Sequence, residues 1–531
     1  MPDNVERRPS SFPDERLPSG TIMDGQTLAN DVEEAFDYVV VGSGAAGAVA
    51  AHVLAKSGAS VVLVEEGPWA KTREFGERVY DAFKRMFRDV GTQVIQGRAY
   101  IPLLQGRCVG GSTVMNSAIV HRMPEDVVED WGKRFGLGGS ITARALEPHF
   151  EALERDLNAH AVSDEALGEN NRLFLDEANA HGVPARRMQR YERGCRGTAR
   201  CLTGCPTGAK QAMNVTYVPW ALALGAHIIF SCRVERVLIE RGVATGVVAW
   251  TTAGGPATRS ARRVTLHARR AVIVAASTVQ SPNLLRRSGL RARALGRHFQ
   301  CHPGYAIGGL FDGPVEMNFG ATQGAERVDL RKTDRIKLET VAMPPELAAV
   351  RFPGVGRDLM ARLGAFSRLA VWAVVVRAEA EGSVRTAWGG RDKVTWNPTR
   401  LDLERARKGV ALLVKMLFEA GAREVWPGFY GVPSTLRSPD EAALIEKIPP
   451  DPRLFGFIAS HLFGACRMGP DPGASVVGTD FQTHEASGLY VVDSSAFPTN
   501  LGVNPQHSIM AMSRLAATRI AERGSRTRAA A

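Results

Sequence analysis

Asp37-Tyr38-Val39-Val40-Val41-Gly42-Ser43-Gly44-Ala45-Ala46-Gly47 joins an apolar, β-branched run to a cluster of glycines and alanines. The run, which begins at Phe36, reads as a buried parallel strand. The glycines follow at the spacing G-x-G-x-x-G. Together Gly42, Gly44 and Gly47 permit a tight turn and close approach of backbone to a dinucleotide pyrophosphate. The helix start at Ala45 and Ala46 then presents N–H groups and a positive dipole end to the phosphates. Val61-Val62-Leu63-Val64 supplies a second strand, ending at Glu65. A glycine fingerprint alone is weak, but a strand before it, a helix after it and a further strand beyond form a βαβ unit. The fold expected is α/β, with a Rossmann-like dinucleotide domain.

At 531 residues the chain is longer than a single core serves, so two structural regions are expected. Hydrophobic residues make up 44% and charged residues 23%, the balance of an ordinary globular protein. No apolar run approaches the roughly 20 residues of a membrane span. Residues 1–35 are polar and proline-punctuated and lack the apolar centre of a signal peptide. They read as a disordered tail, Arg7 and Arg8 included, and a cytoplasmic location is expected. Residues 525–531 read as a second tail. The net charge is +11, yet the 66 basic residues are mixed with 55 acids, which predicts a generally basic surface and no nucleic-acid partner. Docking to an acidic redox partner, or peripheral contact with an anionic membrane, is the use such a charge would have.

Beyond the first βαβ unit, residues 106–116 (Gly-Arg-Cys-Val-Gly-Gly-Ser-Thr-Val-Met-Asn) are too irregular for a helix and too small for a core strand. They suit a loop whose amides approach a flat or charged ligand. Helical spacing runs over 143–161 and 170–181, and 209–224 leads into a strand meander over 226–231, 233–240 and 244–250. Residues 271–276 read as another buried strand, ending in a turn at 277–289 that opens a short helix. From about 301 to 455 the character changes. Residues 369–377, 382–388 and 393–396 suggest an antiparallel sheet with Gly389-Gly390 as a hairpin turn, and 400–420 an amphipathic helix. After His461 come glycine turns, a strand over 489–493 and a closing helix from Pro505.

In this order, the motifs at 37–47, 106–116, 277–289 and 461–504 resemble the glucose-methanol-choline (GMC) family of FAD-dependent oxidoreductases, from Phe36 to about Glu522. Two positions depart from the family pattern. Val120 stands where an aromatic residue or alanine is preferred, and Arg291 stands for the glycine that closes the second signature; both blur the substrate and leave the family intact. The resemblance implies FAD in a domain assembled from distant segments, 36–300 and 456–524, and a substrate domain over 301–455 built on an antiparallel sheet with helices. It implies that Gly42, Gly44, Ala45, Ala46 and Gly47 cradle the pyrophosphate, that Glu65 holds the adenosine ribose, and that backbone near Val234 meets the adenine. Asp493 would sit by the ribityl-phosphate region. Gly110, Gly111, Ser112 and Asn116 would approach the isoalloxazine, as would Asn504 and Pro505. Members that tether their flavin do so through a histidine in this loop; the matching residue is Met115, so noncovalent FAD is expected.

Oxidising an alcohol by hydride transfer requires the hydroxyl proton to leave as hydride moves from carbon to flavin N5, hence a base and an alkoxide stabiliser. By the resemblance the base is His461. Its partner, histidine or asparagine in the family, is Asn504, which can donate to the substrate oxygen without competing for its proton. Asn504-Pro505 also suits the N-cap and first position of the closing helix, and the two roles are compatible. His507, about one helical turn on, is the reserve base. Cys195, Cys201 and Cys205 form a C-x5-C-x3-C run followed by proline. Thiolates so spaced can ligate an iron-sulfur cluster, and the run resembles both a cluster loop of FAD-dependent dehydrogenase subunits and the cysteine loop of long-chain alcohol oxidases. A reduced structural loop is the equal alternative. Cys108, Cys232, Cys301 and Cys466 read as small buried residues.

The function expected is FAD-dependent oxidation of a small-molecule alcohol, hydrophobic or long-chain, to an aldehyde or ketone. Oxygen, a quinone or a redox protein would take the electrons. A noncatalytic flavin electron-transfer subunit and a photodecarboxylase-like enzyme on the same fold are the alternatives.

Overall fold

The strand Val32–Val41 lies between Val61–Val64 and Arg263–Val274, parallel to both, and His227–Phe230 extends this sheet beyond Val61–Val64. Val61–Val64 and the C-terminal ends of Val32–Val41 and Arg263–Val274 are apolar because both faces are covered there: Val39, Val40, Val61, Val62 and Leu63 have no exposed surface. One cover is the helix Ala45–Lys56, whose Ala48, Ala50 and Ala51 are fully buried and which packs against the closing helix Gln506–Ala530. The computed structural model describes residues 21–76, 78–252 and 261–530, with backbone alone over 525–530.

Several expectations are corrected. Ile22–Asp24 pairs with His227–Phe230 and Val32–Val41 begins before Phe36, so part of the expected N-terminal tail is strand. The closing helix runs through 525–530, where a second tail was expected; residues 1–20 and Ala531 lie outside the described residues. The helix expected over 143–161 stops at Asp156, just before Asn158, whose φ of 55° breaks it, and Ala159–Ala161 is a strand. Within 209–224, for which the sequence assigns no element of its own, Tyr217–Ala223 is a helix. Upstream, the Met213 N–H goes to Thr113 Oγ1 at 3.0 Å, a side-chain partner that competes with helix formation. The strand expected over 271–276 is the second half of Arg263–Val274. Its first half pairs antiparallel with Val243–Thr251, its end pairs parallel with Leu489–Val491, and a register shift between Ala268 and Ala271 joins the two halves.

A second sheet of 11 strands is organised around the long strand Arg297–Leu310. Leu369–Val376, Gly382–Thr386 and Ile458–Phe463 all pair antiparallel with it. Short strands from elsewhere complete the sheet, among them Val94–Gln96 and Arg186–Arg187. Gly382–Thr386 and Asp392–Thr395 form the expected hairpin, with Gly389 and Gly390 both at φ 76°. The helix Arg400–Glu419 lays Leu403, Val410, Leu413, Val414 and Leu417 on this sheet, and Thr399 Oγ1 caps it by accepting the Asp402 N–H at 3.1 Å. Pro303 has no N–H to give to a ladder, and the pairing with Ile458–Phe463 shifts register between Cys301 and Pro303. That irregularity sets His302 beside His461. Among the described residues no helix is long and apolar enough to cross a membrane.

Candidate active site

The turn from Gly42 to Gly47 holds three glycines for two different reasons. Gly42 has φ 96°, and a Cβ there would meet the Ala275 carbonyl oxygen at 2.5 Å; at Gly47 a Cβ would meet the Gly42 oxygen at 1.8 Å. The fold itself requires these two. At Gly44 the nearest atom to a Cβ is the Gly111 Cα at 3.8 Å, and the open space faces a cavity of about 340 Å³. The helix Ala45–Lys56 starts from Gly44 with no side chain capping its first N–H groups, leaving them for an anion. The cavity is bounded here by Gly42, Gly44, Ala45 and Ala46, and across from them by Gly111, Ser112, Met115 and Asn116. Gly47 and Gly110 stand behind the wall. Gly110, at φ 93°, donates its N–H to Ser43 Oγ at 3.1 Å, tying the two glycine loops together.

Glu65 is buried on the same wall, but much of its carboxylate serves the turn. Oε2 accepts the Ser43 N–H at 3.0 Å and the Ser43 hydroxyl at 2.7 Å, and Oε1 accepts the Gly67 N–H at 2.8 Å. Burial nevertheless pushes its carboxyl above the ordinary value. Val234 lies on the cavity near Glu66, which holds Arg88 through two bonds of 3.1 and 2.7 Å; sequence reasoning missed this pair. Asp493, also on the cavity, accepts from the Ser277 N–H at 3.0 Å, the Ser281 hydroxyl at 2.5 Å and the Ser495 N–H at 2.8 Å. The pairing of Arg263–Val274 with Leu489–Val491 is what brings the 277 turn to Asp493.

His461, Asn504 and Pro505 line this cavity as well, so the two halves of the sequence motif meet in one place. His461 is half-buried within the strand Ile458–Phe463. Burial pushes its imidazole down to about 4, Glu339 opposing and Lys337 and His121 adding to the effect, so the ring is neutral near pH 7. Its Nδ1 lies 3.2 Å from His302 Nδ1, and among the described residues Nε2 makes no hydrogen bond. His302 Nε2 in turn faces the Asn500 Oδ1 at 3.2 Å and the Gly502 N–H at 2.9 Å. One is an acceptor and the other a donor, so either tautomer of His302 finds a partner and the shared Nδ1 proton can sit on either ring.

Asn504 does not cap the closing helix with its side chain. Its Oδ1 accepts from the buried Lys337 Nζ at 2.6 Å. Lys337 also donates to Glu339 Oε2 at 2.8 Å and lies 2.8 Å from Glu326 Oε2, and Glu326 meets His121 at 2.8 Å and Arg186 at 3.0 Å. None of these five was picked out from the sequence, nor was His302. The signal available was Lys337 and Glu339, opposite charges two apart on one face of an apolar strand. His507, the reserve base, is corrected: it is fully buried away from the cavity, bonded to Tyr191 Oη and, at 3.1 Å, to Glu154 Oε1.

Two models described as GMC oxidoreductase match the chain, one over residues 36–304 and the other over 381–513. The chain belongs to the GMC oxidoreductase family. An uncharacterised GMC-type oxidoreductase of Mycobacterium tuberculosis (strain CDC 1551 / Oshkosh) is 34% identical, over 90% of this chain and 74% of its own length. A long-chain-alcohol oxidase of Arabidopsis thaliana is 27% identical, over 92% of this chain and 66% of its own. Among solved structures, a formate oxidase variant from Aspergillus oryzae aligns with a TM-score of 0.71 at 17% identity, covering 94% of this chain and 100% of that one, a likeness of fold.

In this GMC oxidoreductase the cysteine loop gives no support to an iron-sulfur cluster. Cys201 is buried and its sulfur accepts from Arg190 Nη2 at 3.0 Å. Burial opposes its ionisation, but Arg190 and Lys210 outweigh that and hold the thiol below its ordinary value. Cys205 turns to Thr207 at 3.4 Å, and burial raises the Cys195 thiol. Lys210 Nζ donates to Val114, Asn116 and Cys201 carbonyls at 2.7, 2.7 and 2.8 Å. The loop therefore braces the 106–116 segment, a structural task that needs no metal.

Proposed function

We propose that the protein is an FAD-dependent alcohol oxidoreductase acting on a hydrophobic alcohol, with His461 as base. The observation that carries this reading is the joining of the phosphate cradle at Gly44 and the His461/Asn504 pair along one cavity. The residues fit a dinucleotide flavin: an open cradle over Gly44, uncapped helix N–H groups, and a glycine loop opposite. Bound FAD would supply the hydride acceptor at N5. The Ala45 and Ala46 end of the helix would hold the pyrophosphate, Glu65 and Val234 the adenosine, and Asp493 the ribityl region. Met115, a thioether on the cavity wall, offers no histidyl tether, in keeping with noncovalent binding.

His461 takes the hydroxyl proton at Nε2 while its Nδ1 keeps the bond to His302. Asn504 donates an amide N–H to the oxygen as negative charge grows there. The Pro345–Arg351 helix gives Leu347 to the cavity and leaves Val350 81% exposed, with Val355 at 84% and Met360 at 66% nearby in sequence. Such an apolar approach favours a hydrophobic alcohol over a free sugar.

The test is an anaerobic panel of alcohols graded in chain length, read as bleaching of the flavin absorbance, followed by air or a quinone. Bleaching by long primary alcohols is expected; no bleaching by any alcohol, with reduction by a redox protein instead, would favour an electron-transfer subunit. The pH profile adds a check. Because His461 sits near 4, reduction should stay level from pH 8 to about pH 5 and decline only as that ring protonates. A decline centred near 6.5 would mean that the base is an ordinary, solvated histidine. Stability should move in the same direction: the unfolded chain takes up the His461 proton first, so stability is lost as pH falls from the ordinary histidine value towards 4.

A further inference from the structure

We infer that Lys337 is a positioning residue that fixes which end of the Asn504 amide faces the substrate. An ammonium has three N–H donors and no acceptor. Lys337 Nζ has three partners at bonding distance: Asn504 Oδ1 at 2.6 Å, Glu339 Oε2 at 2.8 Å and Glu326 Oε2 at 2.8 Å. The atom of Asn504 that touches an obligate donor must be its oxygen, which settles the orientation that an amide otherwise leaves open. Among the described residues Asn504 Nδ2 makes no hydrogen bond, and Asn504 lines the cavity while Lys337 does not. The amide therefore shows the cavity donors only. It can stabilise an oxyanion, and it cannot take the proton that belongs to His461.

The charge on Lys337 is itself secured. At 1% exposure, burial works against the ammonium, but Glu326 and Glu339 outweigh it and hold Lys337 above its ordinary value. Further out, His121 and Arg186 meet Glu326 from other segments, and the imidazoles of His461 and His302 lie close enough to feel the Lys337 charge. With Lys337 removed, Asn504 loses the one side-chain hydrogen bond among the described residues that distinguishes its two ends, and a flipped amide would aim its oxygen at a developing oxyanion.

This inference rests on the alcohol-oxidising reading, and its test separates the two. In holoenzyme, Lys337→Met should lower the limiting rate of flavin reduction about 10-fold or more, the scale of one charge-assisted hydrogen bond, with a smaller change in KM, and Lys337→Arg should recover part of the rate. The loss should vanish in an Asn504→Ala background, because Lys337 then has nothing to orient. A Lys337→Met protein with full flavin and wild-type kcat, or a loss that simply adds to that of Asn504→Ala, would overturn the inference. Should Lys337→Met not fold, Asn504→Asp carries the test. A carboxylate would pair with Lys337, so Tm should hold or rise while reduction slows at least as much as in Asn504→Ala; a fall in Tm, or a wild-type rate, would overturn it. If no alcohol reduces the wild-type flavin, the functional reading fails, and the Tm comparison of Asn504→Asp still decides the Lys337 contact.

Discussion

His461→Ala is expected to bind FAD as the wild type does and to lose about 10²–10⁴-fold in the rate of alcohol-dependent flavin reduction, the usual contribution of a positioned base. No neighbour can take over. His302 is buried off the cavity wall with Nε2 engaged by Asn500 and Gly502, and burial drives its imidazole well below the ordinary range. His507 is enclosed between Tyr191 and Glu154. The alanine also strands His302 Nδ1, and an unsatisfied buried polar atom costs about 1–3 kcal/mol, so Tm should fall. His461→Gln provides the control: an amide can still bond His302 but cannot accept a proton at neutral pH. Loss of rate in both variants with full flavin occupancy assigns the proton to His461. An intact reduction rate in either would sink the assignment.

The sequence was most readable where one local rule sufficed. Strand, turn and helix at 32–56 follow from β-branched residues and glycines that a Cβ would exclude, and Arg400–Glu419 from its apolar stripe and the Thr399 cap. Reading failed where a partner distant in sequence decides the conformation. Ile22–Asp24, part of the stretch expected to be a tail, becomes an edge strand because His227–Phe230 is there to pair with it. Arg263–Val274 is one strand because Val32–Val41 pairs along both halves of it, while each half has a different neighbour on its other edge. At the site, motif residues that touch the cavity could be named, but their supports could not. Lys337, Glu326 and His121 lie in three separate stretches and become a network only when the strands Ala325–Arg327 and Ile336–Thr340 pair. Asn504 shows the cost: its side chain was given a capping role that follows from Asn-Pro alone, whereas a lysine far upstream in sequence had already claimed its oxygen.

Gly44→Leu should fold and fail to hold FAD. The three glycines of the fingerprint make this a discriminating experiment, because only one of them is glycine for the sake of a ligand. A side chain at Gly42 would be strained by φ 96° and would strike the Ala275 oxygen, and one at Gly47 would strike the Gly42 oxygen; those variants should misfold, which says nothing about a cofactor. Gly44 has φ −71°, ordinary for any residue, and its Cβ would meet nothing closer than 3.8 Å. The leucine side chain would instead occupy the space over the uncapped N–H groups of the helix Ala45–Lys56, where a pyrophosphate would lie. Losing two charge-assisted hydrogen bonds at about 1.5–3 kcal/mol each corresponds to roughly 10²–10⁴-fold in Kd. The purified protein should therefore be colourless, with a circular dichroism spectrum like that of wild type stripped of flavin, and titration with FAD should restore little absorbance. Gly44→Ala, with one methyl in the same space, should fall between. A yellow Gly44→Leu protein with stoichiometric flavin would mean that the phosphates lie elsewhere, and the open space at Gly44 would then have no ligand to explain it.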